Sequence, residues 1–293
     1  MYCLAKDYLA MRVATTRYPL EIHDSIGQVS KKLEAICTQA LDADFLVLPE
    51  YAGLEWVWPH KKSFKENVEF FQTSGLEAYK SALLSLAKTN KMIIIGGSVP
   101  VYDTQYYNRC YVAYPSGKLS WQDKIYLTPS EKAVAWLKSS DTLKIFDSDF
   151  GKFGVCVCYD SEFPELTSQA VFGAANVLFI PSYTDSTHGA QRIQIAARAS
   201  AMENQCFTVT ATCAGKVACD EFDGMATGDA GIFTPVDIGF PENGILEKTK
   251  NTSIAMATLD IKLISQVRSS GQVRNFYDRI DLKSITLQKE NYG

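Results

Sequence analysis

Apolar and polar positions switch between two periods along the chain. Met11–Tyr18 (MRVATTRY) reads as a strand, and from Ser25 to Asp42 the apolar residues Ile26, Val29, Leu33, Ile36 and Leu41 recur near helical spacing. Phe45–Leu48 is a short apolar run stopped by Pro49, the pattern of a strand covered on both faces. Gly75–Thr89 predicts a helix on the stripe Leu76, Tyr79, Leu83, Leu84 and Leu86, and Met92–Gly97 a second buried strand. Tyr106–Tyr114 and Thr142–Phe146 are predicted strands. The alternation then repeats as strand Phe153–Cys158, helix Pro164–Phe172, strand Val177–Ile180, helix Ala190–Glu203 and strand Cys206–Ala211. Gly231–Thr234, Glu247–Lys250 and Ser253–Leu259 add strands before a final helix over Ile261–Ser269. Helices interleaved with buried strands predict an α/β fold with helices on the outer faces of its sheets. No Ser/Gly/Pro-rich linker and no fixed-period repeat divides the chain, so one domain over 1–293, with a core from about 11 to 280, is expected.

Composition narrows the class without reaching the chemistry. With 46% hydrophobic and 21% charged residues the chain is globular rather than disordered. Its 29 Lys+Arg against 33 Asp+Glu leave a net charge of −4, which argues against nucleic-acid binding and against a polybasic membrane surface. Leu166–Thr184 carries no charge, yet Thr167, Ser168, Gln169, Asn176 and Pro181 make it too polar for a good membrane span. Met1–Met11 includes Lys6 and Asp7 and forms no continuous apolar core, so no signal peptide is expected. The sequon Asn251-Thr252-Ser253 matters only in the secretory pathway. The 8 cysteines are too sparse for a disulfide scaffold, and a reducing, cytoplasmic compartment is the simplest expectation.

Three reactive side chains fall at predicted strand ends, where open α/β sheets build their sites. Glu50 follows Phe45-Leu46-Val47-Leu48-Pro49; Lys124 lies in Trp121-Gln122-Asp123-Lys124-Ile125-Tyr126-Leu127-Thr128-Pro129; Cys158 closes Gly154-Val155-Cys156-Val157-Cys158. Singly, a strand cysteine is a small core residue, a glutamate after a strand caps a helix or faces water, and a loop lysine is solvated. By the period of two, Cys156 and Cys158 share a face, but no second pair with zinc-ligand spacing accompanies them. Together Glu50, Lys124 and Cys158 fit one demand. A thiol needs a base or a cation before it becomes a nucleophile, a desolvated carboxylate can take its proton, and an ammonium stabilises both the thiolate and an oxyanion on an attacked carbonyl.

These residues stand in blocks that resemble the nitrilase superfamily of carbon–nitrogen hydrolases. The blocks are Leu46–Glu50, Asp123–Glu131, Gly154–Glu165 and the Ala- and Arg-bearing stretch Ala197–Gln205, in order across nearly the whole chain from about 11 to 280. The resemblance implies a four-layer αββα sandwich, paired into homodimers or larger homo-oligomers through a helical face. It implies Glu50 as general base, Lys124 as oxyanion-stabilising cation, Cys158 as nucleophile and Glu131 as a second glutamate beside the lysine. A thioester on Cys158 would form and hydrolyse, with the backbone N–H of Tyr159 joining Lys124 at the oxyanion and with no metal or organic cofactor. Arg198, Glu203 and Asn204 read as scaffold, and Trp121 and Trp136 as aromatic core.

The family acts on nitriles, primary amides and N-carbamoyl amines, so the expected partner is a small molecule. Cys158-Tyr159-Asp160-Ser161-Glu162-Phe163-Pro164-Glu165 resembles the amidase side, making a small primary amide the expected substrate and an N-carbamoyl amine or a nitrile the alternative. Relatives that act on carboxylate-bearing amides often carry Arg where this chain has Glu162. A glutamate facing the pocket would repel a carboxylate, which points to a neutral or cationic amide. The loop Ser182–Gly189 is expected to border the pocket and to offer Tyr183, Thr184 and Asp185 to substrate. The block Pro181–Asn204 also resembles nitrilase-type domains that bacteria fuse to acetyltransferases. Two rivals remain at this stage. A Cys–His dyad must draw on His23, His60 or His188, with His188 in that loop; a silent scaffold on this fold would be expected to lack one of Glu50, Lys124 and Cys158, and all are present.

Overall fold

The apolar runs become strands covered on both faces. In the computed structural model, which describes residues 10–21, 23, 25–56, 63–216, 225–250, 252–280 and 288, the first half runs β1 (Met11–Pro19), α1 (Ile26–Gln39), β2 (Phe45–Leu48), α2 (Phe64–Ser74), α3 (Leu76–Asn90), β3 (Ile93–Asp103), β4 (Gln105–Ala113), β5 (Leu119–Asp123) and α4 (Pro129–Ala133). The second half runs β6 (Ile145–Ser148), β7 (Gly151–Val155), α5 (Pro164–Phe172), β8 (Val177–Ser182), α6 (Thr187–Asn204), β9 (Phe207–Lys216) and β10 (Met225–Ala226). It ends with β11 (Gly231–Phe233), β12 (Ile245–Lys248), β13 (Ile254–Leu259), α7 (Ile261–Ser270) and α8 (Asn275–Ile280).

Two mixed sheets form, ordered β13-β1-β2-β3-β4-β5 and β6-β7-β8-β9-β11-β12. Each has a parallel centre, β1-β2-β3 in one and β7-β8-β9 in the other, with antiparallel neighbours outside it. They join where the end of β1 pairs in parallel with β9, Arg17 opposite Thr212 and Tyr18 opposite Cys213. The period of two sorts the side chains. Ala14, Leu46 and Ile94 pack outward against Val29, Leu33 and Ile36 of α1 and Tyr79 and Leu83 of α3. Val13, Phe45, Val47 and Ile95 pack inward against Phe153, Val155, Phe179 and Val209 of the second sheet. Phe45 sits at that seam, its ring centroid 5.3 Å from Phe153 and 5.2 Å from Phe179. On the far side α5 covers the second sheet through Ala170 and Val171 against Leu178. Helices, sheet, sheet and helices follow in layers, as the αββα expectation has it.

The structure corrects several element readings. Helix α2 has a full capping box, Ser63 Oγ accepting from Glu66 N while Ser63 N donates back to the Glu66 carboxylate, a signal that went unread because the preceding polar residues resemble a loop. β5, implied by the placing of Lys124 at a strand end, had no range of its own because LSWQD is too short and polar to show a strand period, and α8 was missed. The predicted strand Thr142–Phe146 is shifted to Ile145–Ser148, and Glu247–Lys250 to Ile245–Lys248. β7 stops at Val155 and Cys158 opens a 3-10 turn, so Cys156 and Cys158 do not share a strand face. Met1–Leu9, His60 and Asn251 lie outside the described residues. Among the described residues no helix is long and apolar enough to cross a membrane.

Candidate active site

Glu50 is carried past the end of β2 by Pro49, and its backbone is held from three sides. Gly97 of β3, with φ 75°, comes so close that a Cβ there would lie 2.4 Å from the Pro49 carbonyl oxygen. Only glycine takes that backbone and that approach together. Tyr51 N donates to Ser98 Oγ at 3.0 Å, and Cys213 Sγ donates to the Glu50 carbonyl at 3.3 Å. The Glu50 carboxylate is 1% exposed. Its Oε1 accepts from Lys124 Nζ at 2.7 Å and Asn108 Nδ2 at 2.9 Å, and its Oε2 accepts from Tyr183 N at 3.0 Å. Burial raises its pKa above the ordinary carboxylate range, against the pull of the Lys124 charge.

Lys124 follows β5 directly and its backbone N–H donates to the Asn108 carbonyl at 2.9 Å. Its ammonium lies between two carboxylates, 2.7 Å from Glu50 Oε1 and 2.8 Å from Glu131 Oε2. Burial alone would strip its proton, but Glu50 and Glu131 together raise its pKa above the ordinary lysine value, so it stays an ammonium. Glu131 is placed by purely local rules. Thr128-Pro129-Ser130-Glu131 is an N-cap, a proline at the first helical position and a glutamate at the third, and Thr128 N donates to Glu131 Oε2 at 2.9 Å. Its other oxygen accepts from Tyr51 Oη at 2.6 Å and Asn108 Nδ2 at 3.0 Å. Burial pushes its pKa up, yet Lys124 and these donors outweigh it and hold the carboxyl below the usual range.

Cys158 has a left-handed backbone, φ 50°, which costs a side-chain-bearing residue about 1–2 kcal/mol. Asp160 secures the turn. It is 1% exposed, and its carboxylate accepts from Val157 N at 3.0 Å, from Tyr126 N at 2.7 Å and from Ile125 N at 3.2 Å, tying the cysteine turn to the lysine loop. The thiol donates to the Tyr183 carbonyl at 3.4 Å, and the N–H of the same Tyr183 donates to Glu50, so one residue's backbone joins the two groups. Burial and then the Glu50 charge raise its pKa well above the free value, against Lys124 and the Tyr183 backbone. The resting arrangement is therefore a thiol beside a carboxylate and an ammonium.

Glu50, Lys124, Glu131 and Cys158 line one cavity of about 470 Å³, together with Tyr159, Glu162, Tyr183, Thr184 and Asp185. Every sequence-predicted site residue thus borders it. Phe64, Val134 and Leu137 add apolar lining. Tyr183 and Thr184 contribute mainly structure: the Tyr183 backbone meets Glu50 and Cys158, and Thr184 is tied to the backbone of Thr227. Asp185 is exposed at the mouth. Glu162 is not the lone negative charge its sequence position suggested, because Arg192 Nε of α6 lies 3.2 Å from both of its oxygens and borders the same cavity. That pairing removes much of the expected repulsion of a substrate carboxylate.

His188 is exposed and does not line the cavity, and His23 packs 3.4 Å from Glu55, so neither serves a Cys–His dyad. Trp121 lies under Arg109 and Lys144, and Trp136 packs on Phe64 and Tyr106, in keeping with scaffold roles. Asn204 and Glu203 hold Arg279, while Arg198 donates to the Asn243 carbonyl. Among the described residues no group of three or more His, Cys, Asp or Glu is placed to hold a metal ion. Tyr51, Asn108, Asp160 and Arg192 were missed. Asn108 left a faint trace, as one of two polar residues, with Arg109, inside the predicted strand Tyr106–Tyr114.

Comparison with known proteins supplies the family and the fold. The chain is 30% identical over 281 residues to the probable hydrolase YhcX of Bacillus subtilis, covering 94% of this chain and 54% of that protein, so it spans about half of that relative's length. It is 27% identical over 201 residues to omega-amidase NIT2-B of Xenopus laevis, covering 66% of this chain and 70% of that one. The crystal structure of Saccharomyces cerevisiae Nit3, a member of branch 10 of the nitrilase superfamily, superimposes with a TM-score of 0.71 at 22% identity over 92% of this chain and 97% of that one, and so shares the fold. A family model described as Carbon-nitrogen hydrolase matches residues 12–269, and the chain belongs to that family, within the nitrilase superfamily.

Proposed function

We propose that the protein hydrolyses the carbon–nitrogen bond of a small primary amide through a thioester on Cys158. The observation that carries this reading is the thiol held on a left-handed turn against Glu50, whose carboxylate also grips Lys124 at 2.7 Å. Glu50 takes the thiol proton as Sγ bonds to the amide carbonyl carbon, and its raised pKa makes it a stronger base than an exposed carboxylate. Lys124, kept protonated by two carboxylates, stabilises the oxyanion. Collapse of the tetrahedral intermediate breaks the C–N bond, with the proton from Glu50 passing to the leaving nitrogen and ammonia departing. Glu50 then takes a proton from water, hydroxide adds to the thioester carbon, and the acid leaves as the thiol is restored. Glu131 keeps Lys124 charged and in place throughout.

Intact-protein mass spectrometry after incubation with primary amides, N-carbamoyl amines and nitriles tests this. The expected result is an acyl adduct on Cys158 with ammonia released from the amides, both abolished in C158A. A panel of all three classes giving neither adduct nor ammonia would overturn it. An adduct with nitriles or carbamoyl amines alone would keep the site and replace the substrate.

A further inference from the structure

Two carboxylates share one lysine in this site, and bare electrostatics would drive them apart or make them share a proton. The structure holds an uncharged group between them. Asn108 of β4 is fully buried, 0% exposed, and does not line the cavity. Its single amide nitrogen donates to Glu50 Oε1 at 2.9 Å and to Glu131 Oε1 at 3.0 Å. Its backbone carbonyl accepts the N–H of Lys124 at 2.9 Å, so one residue touches three members of the cluster. The same side chain leaves Oδ1 buried without a hydrogen-bond partner. An unpaired buried carbonyl is costly, so the orientation with nitrogen toward both carboxylates is held against its own oxygen's needs.

We propose that Asn108 is the positioning residue that keeps both Glu50 and Glu131 ionised around Lys124, so that Glu50 alone takes up the proton of Cys158. This rests on the reading of Glu50 as base. An N–H donated to a carboxylate favours its charged form, and one NH2 group serving both glutamates spaces them without adding charge. Glu131 has Tyr51 and Thr128 as further donors, whereas beside Lys124 and Asn108 the Glu50 carboxylate accepts from Tyr183 N. Loss of the Asn108 donor therefore falls mainly on Glu50.

The experiment compares wild type with N108A and with N108D, which keeps the volume and replaces the donor by an oxygen. Both variants make Glu50 harder to ionise, N108A by removing a donor and N108D by adding a third acid. The acid limb of the pH–rate profile should move to higher pH by about one unit or more, kcat should fall at least about tenfold at pH 7, and KM should stay within about twofold because Asn108 does not face substrate. A readout independent of substrate accompanies it: because the Glu50 charge holds the proton on Cys158, iodoacetamide alkylation of Cys158, followed by peptide mass spectrometry, should quicken at pH 7 by about twofold or more in N108A. Wild-type alkylation rates and an unmoved acid limb in folded variants would overturn the assignment, as would a rise in KM with kcat preserved. Should neither variant fold, Asn108 is a folding residue and the assignment fails. Altered alkylation with no amide hydrolysed by any form would instead keep Asn108's role and discard the proposed reaction.

Discussion

At the scale of single residues the site is a set of charges that answer one another. Glu50 and Glu131 keep Lys124 protonated, Lys124 keeps Glu131 ionised, and burial leaves Glu50 with the raised pKa a base requires. The same logic applies at the mouth, where Arg192 faces Glu162 across 3.2 Å. R192Q leaves Glu162 unmatched beside the incoming substrate. Its kcat/KM for a carboxylate-bearing ω-amide, relative to an uncharged amide of equal length, should fall about two- to fivefold, and E162Q should raise that ratio similarly, as expected for a solvent-screened charge. Equal ratios in all three proteins would show that the pair does not face bound substrate. The triad residues were legible in the sequence because each stands in a recognisable local block. Arg192 was not, because only the packing of α6 beside the Cys158 turn brings it to a residue 30 positions away.

At the scale of elements, short loops after strands do the placing. Thr128-Pro129-Ser130-Glu131 builds its own helix start, although it was the family resemblance and not this capping pattern that pointed to Glu131. Asp160 could not be read from sequence, because its oxygens collect backbone N–H groups from the lysine loop as well as its own turn. Burial pushes its pKa up to about 7. The folded value lies above the unfolded one, so the folded chain binds the proton more tightly, and the carboxyl loses stability for the fold as pH rises from about 4 to about 7. In D160N an amide NH2 must face an N–H donor, and stability should drop by about 1–3 kcal/mol. Urea unfolding across pH 4–8 checks both points: the deficit of D160N should shrink toward the alkaline end. A deficit constant with pH would mean that the carboxyl stays ionised throughout.

At the scale of the whole molecule, two sheets meet face to face and the loops leaving their strands converge on one cavity. Glu50 and Lys124 come from the first sheet, Cys158 and Tyr183 from the second, and β1 joins the two by pairing with β9. Phe45, fully buried at the seam five positions before Glu50, locks the sheets together. F45A should cost about 3–5 kcal/mol in denaturant unfolding. A loss under about 1 kcal/mol would show that the sheets do not depend on this contact. The sequence by itself determined the alternation of helix and strand and the candidates Glu50, Lys124 and Cys158, with Glu131 added by the family resemblance. Those depend on periodicity and local motif, which act within a few residues. Only the tertiary structure decided that Asn108 bridges two carboxylates, that Arg192 answers Glu162, and that Cys158 leaves its strand for a left-handed turn. These are contacts between side chains far apart in the chain, and they exist only once two sheets have packed and excluded water from between them.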